Sequence, residues 1–236
     1  MNKVLVVVGY TEMKYWCLPL WPRAFNDLTY KEKELLWVDD EKIKGLSNLE
    51  TGEEIAAAIR NYGIHYARKG HYDAIMFFDV DVLPDVDVIE KLLSAGAPLI
   101  GGVHAARGDA TKIIGHFYRD YPRLERIPLN YTTGSGVVDA DCVSGGILLM
   151  ASSIFNEVDY TGYRGPNTIP FRFTGDDEFI QLKIRKELNI KPRLHLGASG
   201  WHFHDDGFAY RWYGQKKSYK MVEGKIIFEG KTYGKN

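Results

Sequence analysis

Apolar and polar positions alternate between two periods along the chain. Val4 to Val8 is an unbroken apolar run, the pattern of a strand buried on both faces. Glu34 to Asp40, "ELLWVDD", predicts a second strand that ends in acids. The stretch that follows opens with Thr51 and Glu54 at capping-box spacing. Ile55, Ile59, Tyr62 and Tyr66 then recur at helical intervals, and Gly70 is expected to close the helix. Ala74 to Phe78 predicts a strand. "LPDVDVIEKLLSAG" predicts a helix with Ile89, Leu92 and Leu93 inward and Gly96 as its stop. "APLIGGVHA" predicts a further strand. This alternation argues for βαβ units and a mostly parallel sheet flanked by helices.

The pattern weakens after Ala105. Residues 106 to 141 are rich in Gly, Pro, Tyr and Arg, and the reading there is short antiparallel strands or a mobile loop. Order returns with "VVDADCVSGGILLMASSIFNEV", a strand, two glycines, an apolar run and a helix start. "TGDDEFIQLKIRKELNI" predicts an amphipathic helix with Ile180, Ile184 and Leu188 on one stripe. "KPRLHLGASGWHFHDD" predicts a strand followed by a His-rich loop. The residues after Gly207 are aromatic and basic. One domain over residues 1–206 with an extension over 207–236 fits this layout.

Composition narrows the class. The chain has 236 residues and a formal net charge of -1, which offers no basic balance for a nucleic-acid partner. Two cysteines, Cys17 and Cys142, make neither a disulfide framework nor a metal cluster. No apolar run reaches membrane length, and a cytoplasmic location is expected.

The chemistry concentrates at "YDAIMFFDVDVLP". In open α/β sheets ligands bind beyond the C-terminal ends of strands, where Asp79 and Asp81 fall. In an extended segment residues i and i+2 point the same way, so the two carboxylates would repel unless a cation stood near them. Oxygen ligands of this kind suit Mg²⁺ or Mn²⁺, which take one or two carboxylates plus substrate phosphates. A solvated strand-to-turn junction is the plainer reading of the same residues.

Arg60, Asn61 and Ala67 in the preceding helix, followed by an apolar strand ending in Asp79 and Asp81, resemble the glycosyltransferases of the GT-A fold, family 2-like. The resemblance continues through "VDADCVSGGILLMASSIF", "TGDDEFIQLKIRKELNIKPRL" and "SGWHFH", in the family's order over nearly the whole chain. It implies a Rossmann-like mixed sheet, a UDP- or GDP-sugar donor, and a saccharide, lipid-linked or protein acceptor. Asp81 is the implied metal ligand. Asp79 lies on the metal or the ribose, and His202 or His204 completes the site. Asp177 is the implied base with Asp176 beside it, and the pair implies inversion. Thr174 as N-cap with Asp177 in a capping box is the structural alternative. Thr11, Glu12, Asp39, Asp40 and Arg60 are the implied nucleotide contacts, although a plain turn also explains Asp39 and Asp40. The family's usual Pro-Thr after the first strand is replaced by "GYTEMKYW".

The 106–133 segment is expected as a lid over the donor. In the extension, Tyr210, Trp212, Tyr213, Lys216, Lys217 and Lys220 read as a covering hairpin, an acceptor platform or a peripheral membrane contact. Three other readings remain: a sugar-phosphate nucleotidyltransferase, a non-catalytic nucleotide- or glycan-binding domain, and a haloacid-dehalogenase-like phosphatase. The last places its aspartates in the chain's first strand, whereas two strands precede them here.

Overall fold

The computed structural model describes residues 3–10, 12–39, 41–45, 48–49, 51–106, 109–113, 117–119, 125–127, 136–163, 175–212 and 214–234. The first half runs β1 (Val4–Gly9), a 3₁₀ segment (Glu12–Cys17), α1 (Leu20–Asp27), β2 (Lys33–Val38), α2 (Gly52–Gly70), β3 (Ala74–Asp79), β4 (Val82–Pro84), α3 (Val88–Ser94) and β5 (Leu99–Val103). Four short strands follow, β6 (Ala105–Ala106), β7 (Asp109–Ile113), β8 (Phe117–Arg119) and β9 (Glu125–Ile127). Then come β10 (Val137–Asp139), β11 (Ile147–Ala151), α4 (Ser152–Phe155), α5 (Asp176–Leu188) and β12 (Arg193–Phe203). The chain ends with β13 (Phe208–Arg211), β14 (Gln215–Ser218), β15 (Lys220–Val222), β16 (Lys225–Phe228) and β17 (Lys231–Tyr233).

One large sheet has the order β14-β13-β12-β5-β11-β3-β1-β2, with β4 and β10 also paired to β12. It is mixed, as expected, but antiparallel pairings outnumber parallel ones. The pairs β1–β2, β1–β3 and β5–β12 run parallel, and the other pairings within it run antiparallel. The departure has a local cause. β11 enters between β3 and β5 from a glycine turn instead of a crossover helix, and β13–β14 is a hairpin. Hydrophobic periodicity reports which face is buried and not which way a strand runs.

Side chains alternate across β1, so Leu5 and Val7 face one core and Val4, Val6 and Val8 the other. Ile55, Ile59 and Ile64 of α2 and Ile180 and Ile184 of α5 cover the first face. Trp21 of α1, Ile89 of α3 and Phe228 and Tyr233 of the terminal strands cover the second. Each fully buried aliphatic or aromatic side chain contributes about 1.5–3 kcal/mol. The extension therefore packs into the core, with Tyr210 and Trp212 buried and Lys216, Lys217 and Lys220 exposed. Tyr213 lies outside the described residues.

Local details differ from the pattern in three places. Thr51 and Glu54 do form a reciprocal capping box on α2, an arrangement worth about 1 kcal/mol. The α2 stripe, however, turns away from Tyr66, which is exposed, onto Ile64 and Ala67. Gly63 permits this, since a methyl there would sit 2.9 Å from Val7 Cγ2. The helix is closed by His71 in the left-handed region and not by Gly70. At α5 the N-cap is Gly175, without a side-chain cap bond, so the capping-box reading of Asp177 gives way. Thr174 lies outside the described residues. In the expected lid the described pieces are the pairs β6–β7 and β8–β9. Among the described residues no helix is long and apolar enough to cross a membrane.

Candidate active site

The parallel strands bring their C-terminal ends to one sheet edge, and antiparallel β11 begins there. The chain leaves β3 at Asp79 and turns through Val80 and Asp81 into β4. Trp21 Nε1 donates to the Val80 carbonyl at 2.8 Å. Phe203 N donates to the Asp81 carbonyl at 2.8 Å, and Asp79 N to the Gly146 carbonyl at 3.2 Å. Because the backbone turns here, the two carboxylates separate instead of sharing a side. The Asp79 side chain is 38% exposed and faces Arg60, whereas that of Asp81 is 3% exposed.

Asp81 has a basic surround. Its Oδ2 lies 2.8 Å from Lys14 Nζ and 3.3 Å from His202 Nε2. Burial opposes its ionisation. The contact with His202 and the Lys14 ammonium nevertheless hold the carboxyl below the usual carboxylate range. His202 Nδ1 is 3.0 Å from the Ala105 carbonyl, which can only accept, so Nδ1 carries a proton and Nε2 is the atom turned to Asp81. His202 stands on β12 itself and not in a loop. His204 packs beside it at a ring distance of 4.9 Å and against Tyr210 at 5.3 Å.

Among the described residues two buried polar atoms near this point, Asp81 Oδ1 and His104 Nδ1, have no hydrogen-bond partner. His104 Nε2 contacts Ser144 Oγ at 3.0 Å, and the His104 ring lies 5.3 Å from that of His202. Burial, and then His202, push the His104 imidazole down to about 4, so it is neutral at physiological pH. Among the described residues no group of three His, Cys, Asp or Glu side chains forms a ready ion cage. A buried carboxylate oxygen without a partner beside an oriented imidazole fits a divalent ion that draws its other ligands from substrate phosphates and water.

The second cluster surrounds Arg60, which is buried on α2. Its Nη1 pairs with both Asp176 and Asp177, and its Nη2 lies 3.4 Å from Asp79 Oδ1. Burial works against the guanidinium charge, but the aspartates raise its pKa well above the usual value. Burial raises the Asp176 carboxyl, against the pull of Arg60 and with the help of Asp177. Asp177 is more open, with a side chain 23% exposed. Gly145 N donates to its Oδ2 at 2.7 Å. Gln181, one turn further along α5, locks the same glycine turn by accepting from Val143 N at 2.8 Å and donating to Val143 O at 2.6 Å. Asn61 Oδ1 accepts from Tyr160 N at 3.1 Å and so anchors the loop beyond α4.

A Cβ at Gly145 would overlap Arg60 and the Asp177 carboxylate. Gly145→Ala is therefore expected to displace the Arg60–Asp177 pair and to lower the melting temperature by a few degrees. Thermal-melting measurements check this.

A cleft of about 530 Å³ opens over the Arg60 cluster, lined by Tyr10, Lys14, Arg60, Asp79, Asp176 and Asp177 over an apolar floor from β1, β3 and α2, and Lys14 links it to the buried Asp81 behind it. Its size suits a small-molecule ligand. Of the other sequence candidates, Asp39 closes a turn by accepting from Glu41 N and Lys42 N, and its Oδ2 accepts from Tyr10 Oη at 3.0 Å. Thr11, Asp40 and the Glu12 side chain lie outside the described residues. Sequence reading missed Lys14 and His104. The available signal was position, since each follows the C-terminal end of a strand, at β1 and β5.

No family model matches the chain, and no curated protein matches it. Among solved structures it is similar to A197 from STIV, with a TM-score of 0.57 and 13% sequence identity, over 92% of this chain and 94% of that one. That likeness concerns the fold.

Proposed function

We propose that this chain is a GT-A glycosyltransferase that moves a sugar from a UDP- or GDP-sugar to a hydroxyl acceptor with inversion, using Mn²⁺ or Mg²⁺. The observation that carries the reading is the division of labour across one cleft. The Arg60-held aspartate pair lines the cleft, and Lys14 on its wall leads to the buried Asp81–His202 pair behind it. Asp81 and His202 Nε2 would hold the ion together with donor phosphate oxygens. When bound, the ion supplies Lewis-acid stabilisation of the charge on the departing nucleotide.

The chain's own groups account for the rest. Lys14, which lines the cleft beside Asp81, would pair with a diphosphate oxygen. Asp79 stands exposed at the end of β3 for a ribose hydroxyl. Asp177 takes the acceptor's proton as the hydroxyl attacks the anomeric carbon. Asp176, with its pKa raised by burial, keeps a proton more readily, and Asp177, the more exposed of the two, faces the cleft. Neutral His104, in contact with Ser144, packs beside the His202 ring.

Incubation with UDP- and GDP-hexoses, Mn²⁺ and a panel of hydroxyl acceptors tests this. The expected product is a nucleoside diphosphate from one base class, lost on chelation with EDTA. Release of a nucleoside monophosphate, or no release with any donor, contradicts it.

A further inference from the structure

A second cleft, of about 680 Å³, meets the first at Tyr10, which lines both. Three aromatic rings stand in series along it. Tyr10 is 5.5 Å from Tyr15 in a tilted contact and 5.9 Å from Trp37 edge-on. Tyr15 is 53% exposed, the most exposed aromatic side chain among the described residues. Prolines 19 and 22 complete the apolar wall. Glu41, Lys42, Glu223 and Lys225 form the rim.

The wall that carries Glu223 and Lys225 is preformed. Glu223 and Gly224 have φ of 50° and 72°, the two-residue turn that joins β15 and β16 with the twist a hairpin needs. That hairpin is anchored in the core by Ile226 and Phe228. The cleft is therefore part of the folded surface, built between the N-terminal 3₁₀ segment, the end of β2 and the C-terminal strands.

Its chemistry selects a ligand class. An exposed aromatic ring in a concave, polar-rimmed place marks a binding surface. Two carboxylates, Glu41 and Glu223, and two ammonium groups, Lys42 and Lys225, share the lining, so neither a polyanion nor a polycation is favoured. Asp39, the remaining acid of the cleft, already accepts from Tyr10 and from two backbone N–H groups. Aromatic faces suit the apolar face of a pyranose ring, and interleaved donors and acceptors suit its hydroxyls. Lys14, proposed above for the diphosphate, lies in the first cleft.

We propose that the Tyr10–Tyr15–Trp37 cleft binds a neutral oligosaccharide, stacking one sugar ring on Tyr15. The assignment stands independently of the transfer reaction, and it gives the protein a holding site for a glycan beside the chemical one.

The test is saturation-transfer NMR and calorimetry with neutral tetrasaccharides of glucose, mannose, galactose and N-acetylglucosamine. The wild type and Tyr15→Ala are compared, and Tyr15 is exposed enough for its removal to leave the melting temperature unchanged. The expected result is binding of at least one tetrasaccharide, weakened about tenfold or more in Tyr15→Ala, the loss of one aromatic contact. UDP and GDP, each with Mn²⁺, should bind both proteins equally and should not displace the saccharide. Absence of binding by every tetrasaccharide overturns the proposal, as does equal binding by the variant. Weaker nucleotide binding by Tyr15→Ala in place of weaker saccharide binding makes the cleft a nucleotide subsite and overturns it too. Failure of nucleotide binding in both proteins contradicts the proposed transfer reaction and leaves the saccharide result standing.

Discussion

Asp177→Asn is expected to reduce sugar transfer by about 10²–10⁴-fold while leaving donor binding within about twofold, because it removes a proton acceptor and little else. Gly145 N and Arg60 both point at this carboxylate. Asparagine keeps one oxygen for one of them, at a cost of about 1–2 kcal/mol in stability. The neighbouring Asp176 does not substitute. It is buried, shares the same guanidinium, and has its pKa raised by that burial. Steady-state rates at saturating donor, with nucleotide titrations of the same samples, separate the two effects. A variant that loses donor binding in parallel with turnover would place Asp177 in the donor site and not at the acceptor hydroxyl.

Arg60→Leu is expected to produce the largest change in stability. Arg60 faces three aspartates, two of them on the first turn of α5. Removing one partner of a buried ion pair costs about 3–5 kcal/mol, because the charges left behind are uncompensated. At about 2–4 °C per kcal/mol for a chain of this size, the melting temperature falls by roughly 10 °C. The sign of the pH dependence follows. Asp176 already has a folded-state pKa above its unfolded value, so its contribution to stability is complete below the ordinary carboxylate pKa of about 4 and is lost as pH rises. Without Arg60 that pKa climbs further. The gap between variant and wild type from this group therefore stays level up to the wild-type pKa of about 8 and widens above it, which thermal melts from pH 5 to 10 would detect. Asp81 behaves oppositely, since its lowered pKa makes its contribution disappear as pH falls below about 4. Adding Asp176→Asn to Arg60→Leu should recover part of the loss. A pH-independent gap would mean that Arg60 acts through packing alone.

Much of this arrangement was legible in the chain, and the gaps have physical causes. The runs Val4–Val8 and Ala74–Phe78, the Thr51–Glu54 box and the Ile180–Ile184 stripe report burial, and burial is what hydrophobic periodicity encodes. Strand direction was not encoded, so the antiparallel insertion of β11 was invisible. Asp79 and Asp81 were conspicuous, but their divergence depends on a turn pinned by Trp21, 59 residues away in sequence, and by Phe203. The meeting of Arg60 with Asp176 and Asp177 spans 116 and 117 residues. Only the packing of α2 against α5 creates it. Lys14 lies in an irregular segment where no period marks a functional side chain. Whether Tyr210 and Trp212 cover the core or face a ligand stayed open in the sequence, because a composition-rich tail carries no sign of the core it joins.

The central claim is that Asp81 and His202 form the metal and diphosphate end of the cleft. It is tested most directly by titrating UDP and GDP into the protein with and without Mn²⁺, beside Asp81→Asn, and following the melting temperature. A ligand that binds only the folded state raises that temperature by mass action, by the equivalent of about 2.7 kcal/mol at one hundred times its Kd. The account predicts a rise with one nucleotide that requires Mn²⁺ in the wild type and vanishes in Asp81→Asn. A nucleotide shift that ignores Mn²⁺ or survives in Asp81→Asn, or the absence of any shift in the wild type, would contradict it.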